Sequence, residues 1–169
     1  MPKPKQENDA SLEQYRIYVE TVEKVTDRRA QANRFYLLLH SGILTILSTV
    51  LTVFLSQEMR AAFPLGNQLL PLAIKTSLCA VSVLGMFICV LWFLTLISYK
   101  QLNRAKFKVL FEIEKRLSVR CFNLEWKLLG EGKDPKKYFE FTRVEIILPT
   151  FLFLSYLAVM VLNFVLLAA

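Results

Sequence analysis

Residues able to do chemistry are few in this chain and lie far apart in sequence. It has one histidine, His40, and three cysteines, Cys79, Cys89 and Cys121. A nucleophile–base pair would have to be built on His40, and a structural zinc needs four Cys or His ligands at close, regular spacing. No CxxC occurs, and two of the cysteines lie in an apolar run, so neither a metal centre nor a disulfide framework is expected. His40 has the right chemistry to sense pH. Its place near the start of an apolar run favours instead a backbone or hydroxyl partner. Gly130-Glu131-Gly132-Lys133 has the glycines and lysine of a phosphate loop but neither the spacing nor a preceding strand, and is read as a turn. No catalytic residue, cofactor or metal site is assigned, and the chain is expected not to be an enzyme.

Two other patterns have a defined spacing. Ser41, Thr45, Ser48 and Thr52 recur at i, i+4, i+7 and i+11, which places four hydroxyls on one helix face. Such a face serves close packing of helices, and its alternative use is to line an oligomeric pore or channel. Ser82, Gly85 and Cys89 form a comparable seam of small residues further along. The second pattern is charge. Arg28, Arg29 and Asn33 precede the first apolar run, and Glu112, Glu114 or Glu125 of a returning helix could meet them, within a subunit or across to a neighbour. Trp126, next to Glu125, is expected to anchor the connector that carries both.

The elements that position these residues are set by hydropathy. Three apolar stretches, 35–55, 76–98 and 144–169, each exceed twenty residues, enough to cross a ~30 Å hydrocarbon layer at ~1.5 Å per residue. Only His40 and Glu145 are ionisable within them. Residues 1–34 carry seven Lys and Arg and residues 99–143 carry twelve, whereas the connection 56–75 carries two. The positive-inside rule therefore puts both basic segments in the cytoplasm, the 56–75 loop outside and the C-terminus outside. No secretory signal peptide is recognised, since some thirty-four mostly polar residues precede the first run. The excess of positive charge in 99–143 suits anionic lipid headgroups, and no nucleic-acid-binding motif accompanies it.

The basic segments themselves read as helices. Ser11 to Asn33 has no Gly or Pro, begins with a Ser11/Gln14 capping box, and carries Leu12, Tyr15, Val19 and Val22 on one stripe, widened by Tyr18 and Val25. Nothing interrupts it before the first apolar run, so one helix of ~65 Å is expected. After the second run the stripe is Leu102, Val109, Ile113 and Leu117, with Lys108–Glu112 and Glu112–Arg116 as i,i+4 pairs. The two helices are expected to pair as an antiparallel cytoplasmic stalk. A connector follows, with a short helix capped by Asn123, ended by Gly130 or Gly132, and a capping box Thr142-Arg-Val-Glu145 opening the third span. Pro149 falls after its first turn and is a candidate kink.

The architecture read from these patterns is all-α. It is a polytopic membrane protein with three transmembrane helices, the first two extended into a cytoplasmic stalk. Its segments are 1–34, a 35–98 hairpin, 99–143 and 144–169. Several runs then resemble the bacterial RipA family of octameric membrane proteins: Tyr15-Arg-Ile-Tyr18-Val-Glu20, Arg28-Arg29-Ala-Gln-Ala-Asn33-Arg-Phe35, and Tyr99-Lys-Gln-Leu102-Asn103-Arg-Ala-Lys106-Phe107-Lys108-Val with Glu112-Ile-Glu114. The pattern Glu125-Trp126, Leu129-Gly130, Tyr138, Thr142, Glu145 and Pro149 completes the likeness. The resemblance implies a homo-oligomer of eight in the bacterial cytoplasmic membrane, and no established reaction. The expected role is thus a scaffold or envelope-homeostasis factor, with self-association and lipid contact. An unidentified cytoplasmic protein remains a candidate partner, and the alternative role is a pore or membrane effector.

Overall fold

The computed structural model describes residues 5–55, 69–117, 120–133, 137–138 and 141–168. They form four α-helices, α1 (Lys5–Leu55), α2 (Leu69–Arg116), α3 (Cys121–Leu128) and α4 (Phe141–Ala168), with a 3-10 turn at Gly130–Gly132. No strand occurs among the described residues. α1 is a single helix of 51 residues and α2 one of 48, as the uninterrupted run from Ser11 to Asn33 and the one after Trp92 predict. Most of the 56–75 connection lies outside the described residues, and its last part is helical, because α2 already begins at Leu69. Pro71 is tolerated there, since the first turn of a helix has no partner for its amide.

Two described helices, not the expected three, are long and apolar enough to cross a membrane: Ile74–Arg116 and Arg143–Val165. The 35–55 stretch of α1 is not one of them, and the side chains of Leu51, Val53, Phe54 and Leu55 in it lie outside the described ones.

The chain divides into two compact units. The first comprises Met1–Ala32 and Thr95–Ile146. In it α1 and α2 run antiparallel: Tyr15 meets Glu114, and Thr21 meets Lys106. Val22 and Val25 of α1, with Leu110 and Leu117 of α2, are buried. The α1 stripe is met in part, through Val22 and Val25, whereas Leu12, its first member, is exposed. The α2 stripe is off-centre, because Leu102 and Val109 are exposed, and the buried line instead follows Leu110, Glu114 and Leu117. A carboxylate at a core position makes the hydropathy pattern point to the wrong face. The expected i,i+4 pairs also give way to an i,i+3 pair, Glu112–Lys115 at 2.5 Å.

α3 ends where three successive residues adopt positive φ: Gly130 at 70°, Glu131 at 55° and Gly132 at 70°. Only glycine enters that region freely. At Gly132 a Cβ would also sit 3.1 Å from the Trp126 ring. Trp126 packs edge-on to Tyr138 at 6.2 Å, so it is indeed fixed to the connector on both sides.

The second unit comprises Asn33–Leu94 and Ile147–Ala169. Its core is Ile88, Cys89 and Trp92 of α2 with Leu152 and Tyr156 of α4 and, unusually, His40 of α1. Pro149 lies inside α4 and is fully buried. Asn163 donates its Nδ2 to the Lys75 carbonyl at 2.7 Å, linking the end of α4 to the start of the apolar part of α2.

Candidate functional site

Polar side chains gather at three places, two in the first unit and one in the second. The first is Glu114. Its side chain has no exposed surface, yet three donors reach it. Oε1 accepts from the Tyr15 hydroxyl at 3.1 Å and the Phe122 amide at 2.8 Å, and Oε2 accepts from the Asn123 amide at 3.0 Å. Phe122 and Asn123 are the second and third residues of α3, whose own N-cap position, Arg120, supplies no side-chain bond. Glu114 therefore caps α3 from α2. It satisfies two amides that a helix start leaves open and sets a negative charge at the positive end of the helix dipole. Asn123, expected to be the cap, is one of the residues capped. Burial and the Glu114 carboxylate push the Tyr15 phenol up to about 12. Phe107 and Phe122 close over the site, with ring centroids 6.1 Å apart.

The second place is an ion pair between Arg29 of α1 and Glu145 of α4, both side chains largely buried. Arg29 thus finds a carboxylate, though not one of those expected from spacing. α4 begins at Phe141, which puts Thr142 inside the helix, and the Glu145 carboxylate goes to Arg29. Of the other predicted contacts, Arg28 and Glu125 lie exposed on α1 and α3. Glu112 pairs with Lys115 on the surface.

The third place is in the second unit. His40, 1 % exposed, lies between Tyr156 and Cys89: Nδ1 is 3.2 Å from the Tyr156 hydroxyl and Nε2 is 3.6 Å from the Cys89 Sγ. Its ring stacks on Trp92 at 5.8 Å. Trp92 in turn donates its indole N–H to Asn33 Oδ1 at 3.0 Å and stacks on Tyr36 at 5.6 Å. Asn33, Tyr36 and His40 stand at i, i+3 and i+7, one face of α1 against one side chain of α2. The small-residue seam of α2 makes room for this. Gly85 faces Tyr156, and a Cβ there would come within 2.6 Å of the phenol ring. Ser82, fully buried, donates to the Leu78 carbonyl at 2.8 Å. Tyr156 was not singled out from the sequence, and Glu145 was read there as the end of a capping box rather than as the partner of Arg29. A signal for Tyr156 exists, because it is the one phenol in a run whose other hydrogen-bonding side chains are Glu145, Thr150, Ser155 and Asn163.

The hydroxyl stripe does something different. Each hydroxyl bonds to its own helix: Ser41 to the Leu37 carbonyl, Thr45 to Ser41, Ser48 to Thr45 and Thr52 to Ser48, at 2.8–2.9 Å. All four residues are exposed, so the face packs against no other described part of the subunit. A shallow open groove lined by Leu44, Thr45, Leu47 and Ser48 runs beside them. Among the described residues no three His, Cys, Asp or Glu side chains come together as a metal site requires.

Two long helices apolar enough to cross a membrane, with polar side chains that bond to one another, define the class as a helical membrane protein. The profile of the Octameric membrane protein family (8xMP) matches residues 12–165, nearly the whole chain, and the protein belongs to that family. No curated protein and no solved structure matches it.

Proposed function

We propose that this protein is a non-enzymatic subunit of an octameric assembly in the bacterial inner membrane, with a scaffold or envelope-homeostasis role. The observation that carries this reading is apolar surface left open outside the apolar spans. Leu124 and Leu128 of α3, one turn apart, are 59 % and 72 % exposed, and Leu12 and Ile17 of α1 are more than half exposed. Leucines placed this way in a water-facing unit are characteristic of a surface that another chain covers. The family's name gives eight as the number of chains.

In this reading the first unit, which holds the basic segments, is cytoplasmic, and the C-terminus is outside. The apolar part of α1 is embedded beside α2 and α4 as a third membrane helix. Its hydroxyls support that placement, because each already bonds to a carbonyl of its own helix and brings no unsatisfied donor into hydrocarbon. Lys and Arg at the inner surface contact anionic headgroups. Native mass spectrometry of the nanodisc-embedded protein tests the reading. A single eight-subunit species is expected, and Leu124→Glu with Leu128→Glu should break it down. A monomer or dimer from the wild type refutes it.

The second reading is a pore, favoured by the exposed line Ser41, Thr45, Ser48 and Thr52. In a pore, Thr45→Trp alters ion flux into liposomes while the oligomer survives. If the face packs against a neighbouring subunit, the same change destroys the oligomer.

A further inference from the structure

We propose that neighbouring copies meet through two charged ladders on the first unit, Glu13, Glu20 and Asp27 of α1 against Lys115, Lys108 and Arg104 of α2. The proposal rests on the octameric reading and assigns its interface.

Glu13, Glu20 and Asp27 are spaced by seven residues, hence on one line of α1, and all three are exposed. That line lies opposite the face carrying Tyr15, Val22 and Val25, which is turned to α2. On α2, Lys108 and Lys115 are also seven apart, with Arg104 on the same side, and all three are exposed. This line lies opposite Leu110 and Glu114, which are turned to α1. One subunit thus carries an acidic ladder and a basic ladder facing away from each other, too far round to neutralise one another. Arg16 and Lys24 flank the acidic line and Glu112 flanks the basic one. Glu112 holds Lys115 in an open surface pair, which a better-placed carboxylate can replace.

The register makes the ladders match. Tyr15 is level with Glu114, and Thr21 with Lys106, so each step along α1 is a step back along α2. By that rule Glu13 is level with Lys115 and Glu20 with Lys108, each to within about a residue, and Asp27 is about a turn or less from Arg104. In a closed ring, copies are related by rotation about the membrane normal, which leaves every residue at its own height. The interface is then head-to-tail, and a residue meets whatever the next copy presents at the same level. There Glu13 meets Lys115, Glu20 meets Lys108 and Asp27 meets Arg104, three opposite-charge pairs along one antiparallel seam. A two-fold contact, in which both copies offer the same face, would set like against like.

The test is charge exchange in the full-length protein in nanodiscs, read by native mass spectrometry. Glu20→Lys alone and Lys108→Glu alone should each deplete the eight-subunit species, and the two together should restore it. In a Cys121→Ser background, Glu20→Cys with Lys108→Cys should give, on mild oxidation, a denaturing-gel ladder that climbs past the dimer. Because the two faces point apart within one chain, only neighbours can form that bond. A wild-type octamer with single variants unchanged, or with no rescue in the double exchange, overturns the interface and leaves the octamer standing. A wild-type monomer overturns both. If Lys108→Glu removes binding to phosphatidylglycerol vesicles while Glu20→Lys leaves the octamer intact, the basic ladder serves lipid and the proposal fails.

Discussion

Glu114→Gln separates a buried carboxylate that caps a helix from one that is merely stored in the core. The substitution keeps the shape and turns one accepting oxygen into an NH2 group. With the remaining oxygen towards Tyr15 and Phe122, the Asn123 amide faces a donor, and the opposite placement loses two bonds. A hydrogen bond to a charged group contributes about 1.5–3 kcal/mol. A negative charge at a partly buried helix start adds up to about 2 kcal/mol. Relief from holding a charge out of water works in the other direction, which leaves a net loss of roughly 2–4 kcal/mol. A loss of that size need not unfold the protein, but it should free α3. The assay is hydrogen–deuterium exchange of the amides of Cys121–Leu128, compared with those of the Ser82–Trp92 part of α2. At about 1.4 kcal/mol per tenfold, α3 should exchange roughly 30- to 700-fold faster, with the α2 amides unchanged. Tyr15→Phe in the same background should then cost less than it does alone, since its acceptor is already weakened. An α3 exchange rate within about threefold of wild type, or one that rises equally everywhere, refutes the capping role.

Gly85→Ala places a methyl group within 2.6–2.7 Å of the Tyr156 ring. It should cost about 1–3 kcal/mol by overpacking, seen as a lower thermal midpoint in detergent and partly regained with Tyr156→Leu. Arg29→Glu sets two carboxylates together where an ion pair stood, and should destabilise the first unit by about 1–3 kcal/mol in chemical denaturation. Its exchange partner, Arg29→Glu with Glu145→Arg, should recover most of that loss. The Tyr15 phenol, raised from 10.0 to about 12, binds its proton more tightly folded than unfolded. Its contribution to stability is therefore complete below pH about 10 and gone once the pH passes about 12, a limb that Tyr15→Phe should remove from the alkaline unfolding curve.

The long helices were legible because nothing in their sequence opposes them. Ser11–Asn33 lacks a breaker, the apolar runs are long, and glycine ends the connector helix. The faces of those helices were legible only where apolar residues alone mark them. α1 was read correctly through Val22 and Val25. α2 was misread because the centre of its buried face is Glu114, whose three donors come from Tyr15, 99 residues earlier, and from the start of α3. Spacing shows which residues share a face and is silent on which faces meet. For that reason Arg29 was expected to find Glu112, Glu114 or Glu125 and instead meets Glu145. The histidine was the opposite case. A lone polar ring in an apolar run must find a partner, and α4 offers few, so the Tyr156 hydroxyl was within reach of sequence reasoning that considered the third run.

Under the proposed topology the specificity of assembly resides outside the bilayer. In hydrocarbon there is no hydrophobic gain in exchanging a lipid contact for a leucine contact, so helices associate by close packing and internal hydrogen bonds. The second unit has used those devices on itself: Gly85 accepts Tyr156, Trp92 bonds to Asn33, and the hydroxyls of α1 bond to their own carbonyls. What it turns outward, such as Phe87, Leu94, Phe151 and Leu154, is as apolar as a lipid tail and discriminates weakly between a tail and another copy. The first unit faces water, where covering Leu124 and Leu128 returns about 25 cal/mol per Å² of apolar surface and wrong charge pairings are penalised. Polar substitutions of those leucines should therefore disturb the oligomer more than Phe151→Ala or Leu154→Ala in the span. Equal damage from both sets would move the determinant of assembly into the bilayer.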